Sequence, residues 1–302
     1  MARDLAANYP AARETLAAVD DALGVSLSTL MFEGPADELT LTHNAQPALL
    51  AHGAAVWATV RDAVAPHVVA AAGHSLGEFT AHHAAGTFDA AAGAGLVRRR
   101  GTLMYEAGVA RPGAMAALLG DPQRPIEEIC AEATAEAGEV VPANYNSPGQ
   151  LVISGEVAGV ARAMELAKAA GVKRAVRLQV SGAFHSPLMA PARSGLEAAL
   201  ADTPMQDPAF PVVANVTATP VTTAAEARAL LAEQLGAPVR WTAVVQALAA
   251  AHPGALYVEM GPGTVLAGLV KKIVPGAETV PCGTAADVGA LLARVAGAQT
   301  PA

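Results

Sequence analysis

Apolar and polar positions along the chain alternate between two periods. The run His67-Val68-Val69-Ala70-Ala71-Ala72, bounded by Pro66 and Gly73, predicts a buried parallel strand. Residues 75–85 then predict a helix closed by Gly86, and residues 90–107 a second helix with Arg98, Arg99 and Arg100 in its middle. Near the end of the chain, residues 255–260 predict another strand and residues 263–273 the helix after it. Strands alternating with helices in this way point to an α/β fold with a parallel sheet.

Between residues 112 and 180 the pattern changes. Residues 114–119 predict a strand, 126–137 a helix, 140–145 and 151–154 two strands, 157–170 an amphipathic helix stopped by Gly171, and 175–180 a last strand. The two middle strands are joined by Asn146-Ser147-Pro148-Gly149, a strong turn signal. The order β-α-β-β-α-β is that of a ferredoxin-like unit. The chain is therefore expected to hold a large α/β subdomain made of residues 1–111 and 181–302, with a small ferredoxin-like subdomain, 112–180, inserted into it.

Composition narrows the class of function. Of 302 residues, 53 % are hydrophobic and 15 % charged, which is ample material for a core and excludes a disordered chain. The formal net charge is −8, and no basic block is interleaved with aromatics, so no nucleic-acid partner is expected. The apolar stretch 48–60 is broken by His52 and Gly53 and falls short of the roughly 20 residues needed to span a bilayer. Arg3, Asp4 and Glu14 leave no apolar signal core at the start. No membrane association and a cytoplasmic location are expected. Cys130 and Cys282 match no metal spacing and are expected as buried free thiols.

Gly73-His74-Ser75-Leu76-Gly77 carries the sharpest chemical signal, a G-x-S-x-G between a predicted strand and a predicted helix. A serine on that turn is pushed out of the sheet, and flanking glycines let strand and helix approach closely. The turn also aims the backbone N–H of Leu76, at the start of the helix, toward an oxyanion forming on a substrate carbonyl. A serine needs a base, and the chain has eight histidines. His82 and His83 are adjacent on a helix, about 100° apart, so they cannot chelate one metal together. No H-E-x-x-H is present and no metal or cofactor is expected. His74 should point the other way off the turn, and His43, His52 and His67 are expected as capping or surface residues. His185 differs, because it lies where the small unit hands back to the large one, and clefts form at such junctions.

Four motifs together carry a family resemblance: Gly73-His74-Ser75-Leu76-Gly77-Glu78, Arg100-Gly101-x-x-Met104, Gly182-Ala183-Phe184-His185-Ser186 and Glu259-Met260-Gly261-Pro262-Gly263. From about residue 3 to about 295 the chain resembles malonyl-CoA:acyl-carrier-protein transacylases and the related acyltransferase domains of polyketide synthases. The resemblance implies an α/β-hydrolase-like large subdomain with a ferredoxin-like small one. It implies Ser75 as nucleophile and His185 as general base, with Leu76 donating to the oxyanion. In this family a backbone carbonyl orients the imidazole, and Gln234 stands in that place, with Asn215 nearby in the pocket. Malonyl-CoA and the phosphopantetheine arm of an acyl carrier protein are the partners implied, in fatty-acid or polyketide synthesis, through a malonyl-serine intermediate.

Arg100 bears on specificity. A malonyl group ends in a carboxylate that is costly to bury unpaired, and a guanidinium offers it two parallel N–H donors. Helical neighbours diverge by about 100°, so only one of the three consecutive arginines can face the site, and the Arg-Gly-x-x-Met pattern selects Arg100. Gln46, in Asn44-Ala45-Gln46-Pro47-Ala48-Leu49, matches a Gln-Pro-Ala-Leu segment of the family and is implied to line the same pocket. Phe184, beside the histidine, is implied to narrow the pocket toward malonyl over methylmalonyl.

Two features lie apart from this pattern. Gly261-Pro262-Gly263 invites a nucleotide-loop reading, but Leu266 stands where a third glycine belongs, and a structural turn fits better. Residues 1–6 resemble the stretch that follows the family's first strand and its Phe-Pro-Gly-Gln-Gly-Ser-Gln-like segment. That segment would supply a strand beside the Ser75 strand and a second oxyanion donor; a reading frame that starts earlier than Met1 is the expectation. Two other functions compete. A serine esterase would use Asp207 and His252 with Ser75, and a carrier-protein docking module would do no chemistry.

Overall fold

The computed structural model describes residues 1–180 and 182–298. The expected boundary at 181 and the last residues, 299–302, lie outside the described residues. Among the described residues there are nine strands: β1 Ala71–Ala72, β2 Gly113–Leu119, β3 Val140–Ser147, β4 Gln150–Glu156, β5 Arg174–Arg177, β6 Val212–Val213, β7 Pro220–Val221, β8 Tyr257–Met260 and β9 Thr279–Cys282. With helices between most of them, the chain is mixed α/β.

Before the first strand the chain is helical, in five segments ending with the long helix Thr42–Val64. That helix packs against the helix Ala90–Ala110, and their contact is the centre of the largest core, where Leu50, Ala51, Ala55 and Val56 meet Leu96, Val97 and Leu103. Small residues make the contact close. At Gly101 a Cβ would lie 2.7 Å from the Thr42 carbonyl oxygen and from the His43 Cα, so only glycine lets the two helices meet there. This approach sets Arg100 beside the first turns of the long helix.

The stretch Gly113 to Arg177 forms a four-stranded antiparallel sheet in the order β3-β4-β2-β5. The helices Ile126–Ala137 and Val157–Ala169 cover it, burying Ile129, Ala133, Val160 and Ala163 against Leu118, Val140 and Ile153. At its far edge β3 pairs with Val239 rather than with solvent: the Tyr145 amide donates to the Val239 carbonyl and the Val239 amide to the Ala143 carbonyl. The segment that follows Gln234 is thereby fastened to the sheet.

The parallel strands are shorter than the apolar pattern predicts, and they do not join into one sheet. Residues 65–67 form a 3-10 turn, leaving β1 with two residues, paired in parallel to β6, which pairs antiparallel to β7. β8 and β9 form a separate parallel pair. Between the two lies a largely apolar cavity of about 810 Å3, lined by residues 67–73 on one side and 255–262 on the other. Val69 at this opening is half exposed, and Val265 is more so. Both cysteines are free and buried. Among the described residues no helix is long and apolar enough to cross a membrane.

Ile153 sits at the centre of the four-stranded sheet and is fully buried. Ile153→Ala is expected to cost about 2–5 kcal/mol of unfolding free energy through lost burial and the cavity left behind. Urea unfolding measures this; an unchanged midpoint contradicts the assigned core.

Candidate functional site

The turn between β1 and the helix Leu76–Ala84 brings the serine forward. Ser75 has φ +50° and ψ −105°, a conformation that L residues seldom adopt, and the surrounding contacts must hold it there. The tightest contact is at Gly73, where a Cβ would sit 2.0 Å from the Gly77 carbonyl carbon and oxygen. Gly77 itself would meet nothing within 4 Å, so the close approach rests on the first glycine and not on both. Asn215 holds the turn from behind: its Oδ1 accepts from the Ser75 amide at 2.7 Å and its Nδ2 donates to the Gly73 carbonyl at 2.8 Å. Leu76 begins the helix, so its amide is among the N–H groups with no carbonyl one turn back to accept it.

His185 meets this serine from a different part of the chain. Its Nε2 lies 2.8 Å from Ser75 Oγ, and its Nδ1 lies 3.0 Å from the Gln234 carbonyl and 3.2 Å from the Ala237 carbonyl. Two carbonyl acceptors face Nδ1, so Nδ1 carries the proton and Nε2 presents a lone pair to the hydroxyl. Burial, and then the nearby Arg100 cation, lower the imidazole pKa to about 3, against which the two carbonyls act weakly. The ring is neutral at physiological pH.

Arg100 completes the group. It is only 1 % exposed, and no ion pair to it occurs among the described residues. Its Nη1 donates to Gln46 Oε1 at 2.6 Å, and its Nη2 donates to Gln234 Oε1 at 3.0 Å and to Ser75 Oγ at 3.1 Å. The guanidinium carbon lies 5.3 Å from the Phe79 ring centre, and Nε has no partner among the described residues. Burial lowers its pKa to about 10, which leaves the group charged. Gln46 is held in turn by Met104, whose sulfur accepts from Gln46 Nε2 at 3.3 Å. This gives the Arg-Gly-x-x-Met pattern a physical basis: the glycine admits the long helix and the methionine seats its glutamine. Of the other two arginines, Arg98 donates to the His43 carbonyl and to Asn44 Oδ1, and Arg99 is exposed.

Ser75, His185, Arg100, Gln46 and Gln234 are thus brought together. Asn215 differs from its expected place in the pocket, because both ends of its side-chain amide are spent on the backbone of the turn. Phe184 is half buried between the main core and the small cluster of Met115, Ala143 and Val152. His74 meets Asn146 on β3, where its Nε2 lies 2.8 Å from Oδ1. His52 is a correction: it is buried, with Nε2 2.8 Å from the Gly283 carbonyl, because the long helix runs through the core at that turn. The pairing of Asp207 and His252 does not form. Asp207 accepts from the Ala224 amide on the surface, and His252 ends the helix Trp241–Ala251. At the glycine pair 261 and 263, Glu259 accepts from the Leu266 and Ala267 amides, so a carboxylate of the chain already fills the position a phosphate would need. Sequence reasoning missed Glu78, which lies beneath the turn and is fully buried.

Comparison with known proteins gives the family of the whole chain. Residues 1–291 match the family model described as acyl transferase domain. The malonyl CoA-acyl carrier protein transacylase of Bacillus subtilis (strain 168) is 43 % identical over 281 residues, covering 93 % of this chain and 88 % of that protein. The crystal structure of an acyl-carrier-protein-S-malonyltransferase from Bartonella henselae superposes with a TM-score of 0.92 at 41 % identity, covering 98 % of this chain and 95 % of that one. A malonyl-transacylase in complex with a type II polyketide-synthase acyl-carrier protein gives a TM-score of 0.91 at 39 % identity, covering 97 % and 94 %.

Since the folded pKa of His185 lies far below the ordinary 6.5, its imidazole should stay neutral, with the proton on Nδ1, from pH 8 down to pH 5. Nitrogen-15 chemical shifts of the ring measure this directly. A transition to imidazolium near pH 6.5 contradicts the geometry.

Proposed function

The chain belongs to the acyl transferase family, among its malonyl CoA-acyl carrier protein transacylases, and from that premise we propose how its own residues carry malonyl from coenzyme A to the thiol of an acyl carrier protein. The observation that carries the proposal is the meeting of Ser75 Oγ with both His185 Nε2 and the Arg100 guanidinium.

In the first half-reaction Ser75 Oγ attacks the thioester carbonyl while His185 Nε2 takes its proton. The tetrahedral oxyanion is stabilised by the Leu76 amide at the positive end of the helix. Collapse breaks the C–S bond, and His185 returns the proton to the departing thiolate of coenzyme A. In the second half-reaction the phosphopantetheine thiol gives its proton to His185 and attacks the malonyl-serine ester, and Ser75 leaves with that proton. Coenzyme A leaves before the carrier thiol reacts, a ping-pong order. No metal or cofactor enters.

Arg100 selects the acyl group. The groups bonded to this buried cation are amides and a hydroxyl, and Glu78 acts on it only through space, so no counter-charge among the described residues touches it, and burying an incompletely paired charge is costly. The malonyl carboxylate supplies that charge with two parallel acceptor oxygens; an acetyl group does not. Gln46 and Gln234 hold the guanidinium in plane for this contact. Phe184 narrows the pocket beside the base. The division into a large α/β-hydrolase-like part, 1–111 with 181–302, and a ferredoxin-like insert, 112–180, is part of the same proposal. Its support is the separate core beneath β2 to β5 and their antiparallel order. The esterase alternative lacks an assembled Asp–His pair and gives Arg100 no role.

Incubating the protein with malonyl-CoA alone should add one malonyl group at Ser75, seen by intact mass and peptide mapping, and Ser75→Ala should abolish it. Arg100→Ala, verified as folded, should lower kcat/KM for malonyl-CoA roughly a hundredfold, as two charge-assisted bonds are lost, while acetyl-CoA falls much less. Equal losses for both acyl groups contradict the carboxylate contact. Phe184→Ser should raise the methylmalonyl-to-malonyl ratio about tenfold, the scale of one methyl in a fitted pocket. An unchanged ratio removes Phe184 from the specificity argument.

A further inference from the structure

Glu78 takes no part in the acyl transfer, yet it is fully buried in the first turn of the helix that follows Ser75. Its Oε2 accepts from the Gln234 side-chain amide at 2.7 Å and from the Asn215 backbone amide at 3.0 Å; its Oε1 has no partner among the described residues. Each of these two neighbours grips the site on its other side. Asn215 holds the Ser75 amide and the Gly73 carbonyl. Gln234 presents its Oε1 to Arg100, donates Nε2 to the Ser75 carbonyl at 3.0 Å, and accepts from His185 through its backbone carbonyl.

We propose that Glu78 is a positioning residue that sets nucleophile, base and guanidinium in one frame by anchoring Asn215 and Gln234 through a single carboxyl oxygen. The inference rests on the acyl transfer proposed above. The geometry makes the reach of that oxygen decisive. Gln234 has one amide nitrogen to share between Ser75 and Glu78, and its oxygen faces Arg100 only while that nitrogen is fixed. Were the anchor withdrawn, the Gln234 side chain could turn, and Arg100 would lose one of the two glutamines that hold it in plane. Selectivity for an acyl carboxylate would then fall along with rate. A residue needed only for folding would lower stability and leave selectivity alone. The carboxyl is also poised in charge: burial pushes its pKa up to about 7, against the two hydrogen bonds and the nearby Arg100.

Two conservative substitutions separate reach from charge. Glu78→Gln keeps an oxygen that can accept from both donors and places its NH2 where the unpartnered Oε1 lies. Glu78→Asp keeps the acid but is one methylene shorter. Steady-state kinetics with malonyl-CoA and acetyl-CoA, on protein whose fold is checked by circular dichroism, should give Glu78→Gln at least the wild-type malonyl preference. Glu78→Asp should raise KM for malonyl-CoA and lose about tenfold in preference, the scale of one lost bond to a charged group. Preference retained in Glu78→Asp, or lost in Glu78→Gln, overturns the assignment; should the aspartate variant not fold, the glutamine variant decides by the same criterion. Malonylation of wild-type Ser75, followed in parallel by intact mass, keeps the two proposals apart. No adduct defeats the acyl transfer itself, whereas an adduct with unchanged preference in Glu78→Asp defeats only the role of Glu78.

Discussion

A guanidinium sealed in the protein without a carboxylate touching it is the constraint around which this site is built. Arg100 is surrounded by two glutamine oxygens, a serine hydroxyl and an aromatic face. Neutral acceptors stabilise a buried cation less than an anion does, so the arrangement holds a charge that an anionic ligand can complete. The same cation helps to keep His185 neutral, and a neutral imidazole is what a serine nucleophile needs from its base. The residue that selects charge therefore also adds to burial in keeping the base neutral.

Holding this cation next to a strained serine takes support from distant parts of the chain. The close helix contact at Gly101 delivers Gln46, the turn glycine at 73 admits the start of the serine helix, and the segment clamped to β3 through Val239 lies just after Gln234. Gln234 joins these supports, since its side chain touches Arg100, Glu78 and the Ser75 carbonyl while its backbone carbonyl orients the base. Its backbone role survives substitution and its side-chain role does not, so the two are separable in principle.

The sequence was legible where a local rule decides the structure. The pattern over residues 112–180 carried six elements in their right order, because antiparallel strands and amphipathic helices leave a period of their own. The G-x-S-x-G turn was legible for the same reason. The strands at 67–72 and 255–260 came out shorter and, against the expected buried strand, none of their residues is fully buried, since an apolar run does not say whether a neighbouring strand or helix covers it. Asn215 could be placed near the serine by resemblance, but not in its role behind the turn, which depends on a contact across 140 positions. Glu78 left no signal beyond standing in a motif, as a glutamate in a first helical turn ordinarily faces water; only tertiary packing reveals its burial.

The most direct measurement is a crystal structure of the protein after reaction with malonyl-CoA in the absence of carrier protein, which should trap the acyl-serine. The account predicts the free carboxylate of the acyl group lying flat against the two terminal nitrogens of Arg100, with Gln46 and Gln234 still in contact with the guanidinium. A carboxylate directed to solvent or to another side chain, with Arg100 unchanged, would contradict it.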